Sequence, residues 1–223
     1  MYSRLSKKYF RATGDLNIMY KFGISMRVTN SNDYNESRDS ISIDWSNYMI
    51  SSFPSSQFLF IPNIQKNVRD YIQSYEINTI ILTGGDDLNS QSRRDKTELI
   101  LIEYALQNKI PIIAVCRGLQ LVHKYFGGLL VKGDKKFIQE HKVKKHTVYL
   151  DDGSSRKVNS YHSNYIKEQT ISSKFEIFAR CKTDNTVEGL KSERILAMMW
   201  HPEREKKIED WNKELILRFL KNE

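Results

Sequence analysis

The pattern of this chain predicts an α/β domain with a mainly parallel central sheet and helices on both faces, and three observations carry that prediction. Strand-like and helix-like segments alternate four times between Lys21 and Phe126, which is the order of a parallel sheet wound with crossover helices. Two runs, Ile110–Val115 and Ile195–Trp200, are short and wholly apolar, as strands covered on both sides must be. The turn Gly84-Gly85-Asp86-Asp87 and the residue Cys116 both directly follow predicted strands, and ligands of such sheets gather at the carboxyl ends of the strands.

In chain order, residues 1–20 show no clear apolar period and are expected to be a loosely attached extension ahead of one domain spanning 21–223. Lys21–Val28 is the first expected strand, and the Asn- and Ser-rich stretch 29–39 reads as a loop. A helix is expected from Ser40, with Ile41, Trp45, Tyr48, Met49 and Ser52 on one face. Gln57–Pro62 is the next strand, and Ile64–Tyr75 a helix whose positions 64, 68, 71, 72 and 75 share a side. Thr79–Thr83 is a strand, and 92–108 a helix with Leu99, Ile102 and Leu106 at helical spacing. The strand Ile110–Val115 then meets Cys116-Arg117-Gly118, and a helix carries Leu119, Val122, Tyr125 and Phe126 to its end at Gly127-Gly128. Beyond Lys132, two alternating runs around Asp151-Asp152-Gly153 predict a basic β-hairpin. Strands at 175–180 and 194–200 follow, then a helix over 208–220 with Ile208, Trp211, Leu215 and Phe219 facing inward.

Composition narrows the function classes. The 223 residues suffice for a substantial core. The longest apolar runs reach six residues, against roughly 20 needed to cross a bilayer. No apolar segment follows the basic N-terminus, so a secretory signal is not expected and the cytoplasm is the expected location. Cys116 and Cys181 lack the close Cys or His spacing of a zinc motif and are expected to be free thiols in a reducing compartment. A net charge of +8 invites an anionic partner. No nucleic-acid-binding motif accompanies it, so an anionic small molecule or an acidic protein fits equally well.

A strand that breaks into a helix at a nucleophile needs small neighbours, and Ala114 and Gly118 flank Cys116 in that way. The helix N-terminus favours a thiolate there. A structural buried cysteine explains the same residues, because a free cysteine packs as a small hydrophobe. After the strand Arg194–Trp200 stands His201-Pro202-Glu203. Proline holds His201 extended, so the Glu203 carboxylate can accept a hydrogen bond from one ring nitrogen and leave the other for a thiol; a strand-end histidine with a solvated glutamate explains the same residues.

Four motifs in order, Thr83-Gly84-Gly85-Asp86, Cys116-Arg117-Gly118-Leu119-Gln120, Val158-Asn159-Ser160-Tyr161-His162 and Trp200-His201-Pro202-Glu203, resemble those of the class I glutamine amidotransferases, and within them the γ-glutamyl hydrolase-like, peptidase C26 branch. The resemblance spans from about residue 21 to the C-terminus. It implies a flavodoxin-like three-layer domain with an added hairpin, and a Cys116-His201-Glu203 triad. It further implies backbone N–H donors at Gly85 and Arg117 for the oxyanion. Gly84, Gln120, Asn159, Ser160, Tyr161 and His162 would then lie around the glutamyl group. His162 is assigned to the substrate pocket, while His123, on the polar side of its helix, and His141 and His146, in the hairpin, are expected to be structural or surface residues. Ala114 stands where many relatives have glycine.

The implied activity is cleavage of a γ-glutamyl amide through a thioester, with no metal or organic cofactor. A glutaminase subunit feeding ammonia to a separate synthetase, and a catalytically silent binding relative, are the alternatives. Glu36-Ser37-Arg38-Asp39 with Asp44-Trp45 resembles the early segment of the γ-glutamyl-CDP-amidate hydrolases of capsule biosynthesis. On that resemblance Lys132, Lys135, Lys142, Lys144 and Lys145 are candidate phosphate contacts; a solvated hairpin edge that discourages strand pairing explains the same lysines.

Overall fold

The computed structural model of the chain describes residues 19–31, 33–205 and 210–222. The expected extension therefore lies outside the described residues except for Met19 and Tyr20, and Ile208 lies outside them too. The strands are β1 (Lys21–Ser25), β2 (Arg27–Asn30), β3 (Ser37–Ser40), β4 (Gln57–Ile61), β5 (Thr79–Leu82), β6 (Ile112–Val115) and β7 (Leu130–Lys132) in the first part. The rest are β8 (Lys142–Leu150), β9 (Ser155–Tyr161), β10 (Asn164–Ile166), β11 (Glu176–Cys181), β12 (Val187–Lys191) and β13 (Ile195–Met198). The helices are α1 (Ile43–Ser52), α2 (Val68–Ser74), α3 (Ser92–Gln107), α4 (Arg117–Tyr125), α5 (Lys135–His141) and α6 (Asp210–Lys221).

Nine strands form one sheet in the order β4-β1-β5-β6-β13-β12-β11-β8-β9. The five strands from β4 to β13 are parallel, whereas every pairing from β13 to β9 is antiparallel. The fold is thus α/β with a mixed sheet around a parallel core, and the basic hairpin β8–β9 continues the same sheet. Alternate side chains of the central strands serve different layers. Ile80, Leu82, Ile112, Ala114, Ile195 and Ala197 pack with α2, α3 and α4 on one face. Ile81, Ile113, Val115, Leu196 and Met198 pack with Trp45, Tyr48 and Met49 of α1 and Ile216 of α6 on the other. Each such buried aliphatic side chain contributes roughly 1.5–3 kcal/mol, and both faces of β6 are covered, so its unbroken apolar sequence follows.

Several expectations are corrected. Arg27–Asn30 and Ser37–Ser40 pair as a small antiparallel hairpin, β2–β3, where residues 29–39 were expected to be a loop; the β-branched Val28 and Thr29 favour that pairing. Helix α1 begins after Ser42, which caps Asp44 N–H; Ile41 precedes it. The buried face of α3 is Arg94, Thr97, Glu98, Leu101, Ile102 and Ala105, while Leu99 is exposed; a paired set of charges continues the apolar part of the inward face. His141 belongs to α5, which was missed because only seven residues separate its cap, Asp134, from the strand. His123 is buried, its Nε2 3.1 Å from the Leu129 carbonyl oxygen. In α6 the buried positions are Asn212 and Ile216, with Trp211, Leu215 and Phe219 packed at the margin. Asn212 faces inward because its amide oxygen accepts the Trp200 indole N–H at 2.9 Å. Among the described residues no helix is long and apolar enough to cross a membrane.

Candidate active site

Strand β6 lies between β5 and β13, all parallel, so their carboxyl ends deliver Gly84-Gly85, Cys116 and His201 to one place. Cys116 takes φ 51° and ψ −103°. A non-glycine residue held in so sparsely populated a region costs about 1–3 kcal/mol. The surrounding structure supplies what holds it: its N–H donates to the Met198 carbonyl at 2.8 Å, and its own carbonyl accepts from Gln120 N–H at 3.1 Å. Glycine is required at 118 because a Cβ there would sit 2.5 Å from the Leu82 carbonyl oxygen. The turn thus lifts the thiol to the N-terminus of α4, where helix N–H groups favour an anion.

His201 is fixed from three sides. Its Nδ1 lies 2.7 Å from Glu203 Oε1. Its backbone N–H donates to Asn159 Oδ1 at 2.9 Å, and its carbonyl accepts from Asn159 Nδ2 at 2.7 Å. Gly84 lies beneath the ring, where a Cβ would meet Cε1 at 2.4 Å. The imidazole lies beside the Cys116 thiol, and each shifts the protonation of the other. Burial pushes the thiol pKa up, but His201 beside it, helped by His162 and Arg204, brings it below the ordinary value. Burial disfavours the charged imidazolium, yet Glu203 and the thiolate raise His201 to about 9. Both shifts favour the thiolate–imidazolium form of the pair.

The cleft over Cys116 holds about 220 Å³ and is lined by Gly85, Arg117, Gln120, Tyr161 and His162. Larger hollows of about 400, 440 and 450 Å³ contain none of these groups. Gly85 adopts φ 131°, and a Cβ would fall 2.7 Å from Arg94 Nη1, so only glycine lets this backbone approach the cleft. Asn159 and Ser160 are not on the lining. The Asn159 amide is occupied by His201 and by Glu205 Oε1 at 2.7 Å, and the Ser160 hydroxyl donates to the His141 carbonyl while fully buried. Of the five lysines singled out, only Lys142 lines the cleft; Lys145 pairs with Glu205 at 2.7 Å. Asp86 and Asp87 line it as well, a placement given by the turn after β5.

Beneath the two glycines runs a buried ionic network that sequence reasoning missed. Arg94 donates through Nη2 to the carbonyls of Thr83 and Gly84 at 2.9 and 3.0 Å, and through Nε to Glu98 at 3.0 Å. Glu98 also accepts from Ser25 Oγ at 2.7 Å and from Arg117 Nη1, and Arg117 Nη2 reaches Asp95. One carboxylate thus ties the β5 loop to the residue after the nucleophile. The i,i+4 spacing of Arg94 and Glu98 was the available signal.

A strained cysteine, an oriented imidazole and glycine backbone thus meet at the carboxyl ends of parallel strands. The chain belongs to the Peptidase C26 family, whose model matches residues 22–203. It is 31% identical to the γ-glutamyl-CDP-amidate hydrolase of Campylobacter jejuni over 82% of this chain and 90% of that protein. It is 28% identical to a glutamine-hydrolysing GMP synthase subunit of Pyrococcus furiosus over 60% of this chain and 70% of that one. A Thermoplasma acidophilum structure provisionally described as a GMP synthase subunit superposes with a TM-score of 0.66 at 18% identity, covering 91% of this chain and 93% of the other.

Proposed function

We propose that this protein hydrolyses the γ-amide of a γ-glutamyl conjugate, and that the conjugate is a γ-glutamyl nucleotide phosphoramidate such as γ-glutamyl-CDP-amidate. The observation that carries the hydrolytic part is the Cys116 thiol at a strained elbow, beside a His201 ring whose Nδ1 lies 2.7 Å from Glu203 Oε1. The Cys116 thiolate attacks the γ-carbonyl, and the N–H groups of Gly85 and Arg117 receive the oxyanion; one such donor is worth roughly 3 kcal/mol. His201, already protonated, passes its proton to the leaving nitrogen, leaving a thioester on Cys116. Water attacks the thioester, His201 takes its proton, and glutamate leaves with the thiolate restored. Asn159 acts as a positioning residue by holding the His201 backbone.

The finer assignment is supported by the similarity to the Campylobacter jejuni hydrolase and by Lys142 at the cleft, where a cation would meet a phosphate. The second reading is a glutaminase that supplies ammonia to a separate synthetase, favoured by the similarity to the Pyrococcus furiosus GMP synthase component.

Glutamate release from glutamine, a simple γ-glutamyl amide and a γ-glutamyl nucleotide phosphoramidate, with Cys116→Ala as the blank, separates these. The expected outcome is rapid release from the phosphoramidate alone, reduced about 10⁴-fold or more in the variant. Release from glutamine only, or only after a cell extract is added, would replace this reading with the glutaminase; no Cys116-dependent release from any substrate would overturn both.

A further inference from the structure

A second polar cluster lies behind the cleft, and the mechanism uses none of it beyond the ring of His162. His141 ends α5, His146 stands on β8, His162 follows β9 and Glu188 lies on β12; all four are at least nine-tenths buried. Their polar atoms face one another without completing hydrogen bonds. Glu188 Oε1 is 3.6 Å from His141 Nδ1 and 3.3 Å from His162 Nε2, and Oε2 is 3.5 Å from His146 Nε2. Among the described residues, both carboxylate oxygens, His141 Nδ1, His162 Nε2 and both His146 nitrogens have no hydrogen-bond partner. Six buried polar atoms in that state would each cost about 1–3 kcal/mol.

The outer faces of two rings decide which nitrogen points inward as a base. His162 Nδ1 lies 2.9 Å from the Asn164 carbonyl oxygen; a carbonyl only accepts, so Nδ1 carries the proton and the neutral ring turns the Nε2 lone pair inward. His141 Nε2 lies 2.8 Å from Asp184 Oδ2, which likewise leaves Nδ1 as the inward base. An imidazole held on its far side by a carboxylate or a carbonyl is the arrangement that orients metal ligands. In a tetrahedral site with metal–ligand bonds of about 2.0–2.2 Å, the ligand atoms are separated by about 3.3–3.6 Å; Glu188 Oε1 lies at that edge length from His141 Nδ1 and His162 Nε2, and donor atoms of these three residues all lie within 4.8 Å of one another.

We propose that His141 Nδ1, His162 Nε2 and Glu188 Oε1 bind a divalent transition-metal ion of the zinc class, with His146 beside them, its Nε2 3.5 Å from Glu188 Oε2. Three buried protein ligands hold the ion, which pins α5, the residue after β9 and β12 together and fixes the His162 ring that walls the cleft. Cys181 lies within 4.8 Å of donor atoms of His141 and His146, in a separate grouping that contains neither His162 nor Glu188.

The test uses the full chain carrying Cys116→Ala, which removes the catalytic thiol as a competing ligand. After dialysis against a chelator, Co²⁺ is titrated and visible absorption is read. One Co²⁺ per chain is expected, with the d–d bands of a four-coordinate ion and no thiolate charge-transfer band. Adding Glu188→Gln should weaken binding at least about 10-fold. His141→Gln should do the same and serves if Glu188→Gln does not fold. Absence of binding at micromolar Co²⁺, a six-coordinate spectrum, a thiolate band, or undiminished affinity in a folded variant would overturn the proposal.

Discussion

Glu98 and Glu188 are both inaccessible to solvent, and they sit on opposite sides of Cys116 in opposite circumstances. Glu98 has hydrogen bonds on both oxygens, from Ser25, Arg94 and Arg117. Glu188 has none, and faces three imidazoles at 3.3–3.6 Å. Burial opposes ionisation of both; the two guanidinium groups outweigh it for Glu98, and His162 and His146 do so for Glu188, whose pKa falls to about 2. Fixed cations make the first carboxylate a lock between the oxyanion loop and the elbow. Titratable partners leave the second dependent on what else arrives, a proton or a metal ion.

The comparison can be broken most severely at Glu98. Glu98→Ala strands two buried guanidinium groups, and breaking such a pair costs about 3–5 kcal/mol; the denaturation midpoint should fall accordingly, equally with and without chelator. An unchanged midpoint would mean that the network is not a lock. Next in size is Gly84→Ala. Its Cβ would lie 2.4 Å from His201 Cε1, and a displacement on the order of 1 Å at a catalytic group costs roughly 100-fold. The turnover number should drop while the melting temperature barely moves.

Acid sharpens the other side. The folded pKa of Glu188 is depressed, so its stabilisation is present above the ordinary value of 4.5 and lost as pH falls toward about 2. His162 is shifted upward, chiefly by Glu188 against the opposing effect of burial, so its contribution is present below 6.5 and lost as pH rises through the folded value. Denaturation of Glu188→Gln across pH 2–5 should show a flatter loss of stability than the parent chain; parallel curves would remove Glu188 from the acid response. The same logic applies to the catalytic pair. His201 holds the Cys116 thiol below its ordinary value, so alkylation of Cys116 should begin at lower pH than that of a free cysteine, and His201→Gln should move its onset upward, since burial alone raises the thiol. The smallest effect belongs to an exposed pair, Arg180 with Glu168, bidentate at 2.6 and 2.8 Å. Arg180→Ala should change stability by no more than about 1 kcal/mol.

Local chemistry made the placement of Cys116, His201 and Glu203 legible. A β-branched run broken at Cys116 between Ala114 and Gly118 can only turn sharply, and a histidine before proline at a strand end can only point outward from it. The same locality explains the turn glycines, because backbone freedom is a property of the residue itself. Asn159 and Ser160 were placed within reach of the substrate because they share a motif with Tyr161 and His162. The side chains of Asn159 and Ser160 are instead taken up by neighbouring backbone: the hairpin overhangs the sheet, with only residues 148–150 of β8 paired to β11, so Asn159 reaches the His201 backbone and the Ser160 hydroxyl donates to the His141 carbonyl.

The sequence by itself determined the alternation of layers, the buried parallel strands and the residues at their carboxyl ends, because each depends on apolar periodicity or on the conformational limits of one residue type. Tertiary structure alone decided what the buried charges do. Arg94 and Glu98 look like a solvated helical pair until α3 turns them toward Arg117, and His141, His146, His162 and Glu188, spread over 48 positions of the chain, become one cluster only through the antiparallel half of the sheet. Burial reverses the meaning of a charged residue, from solubility to a demand for a partner, and burial is a property of the assembled layers.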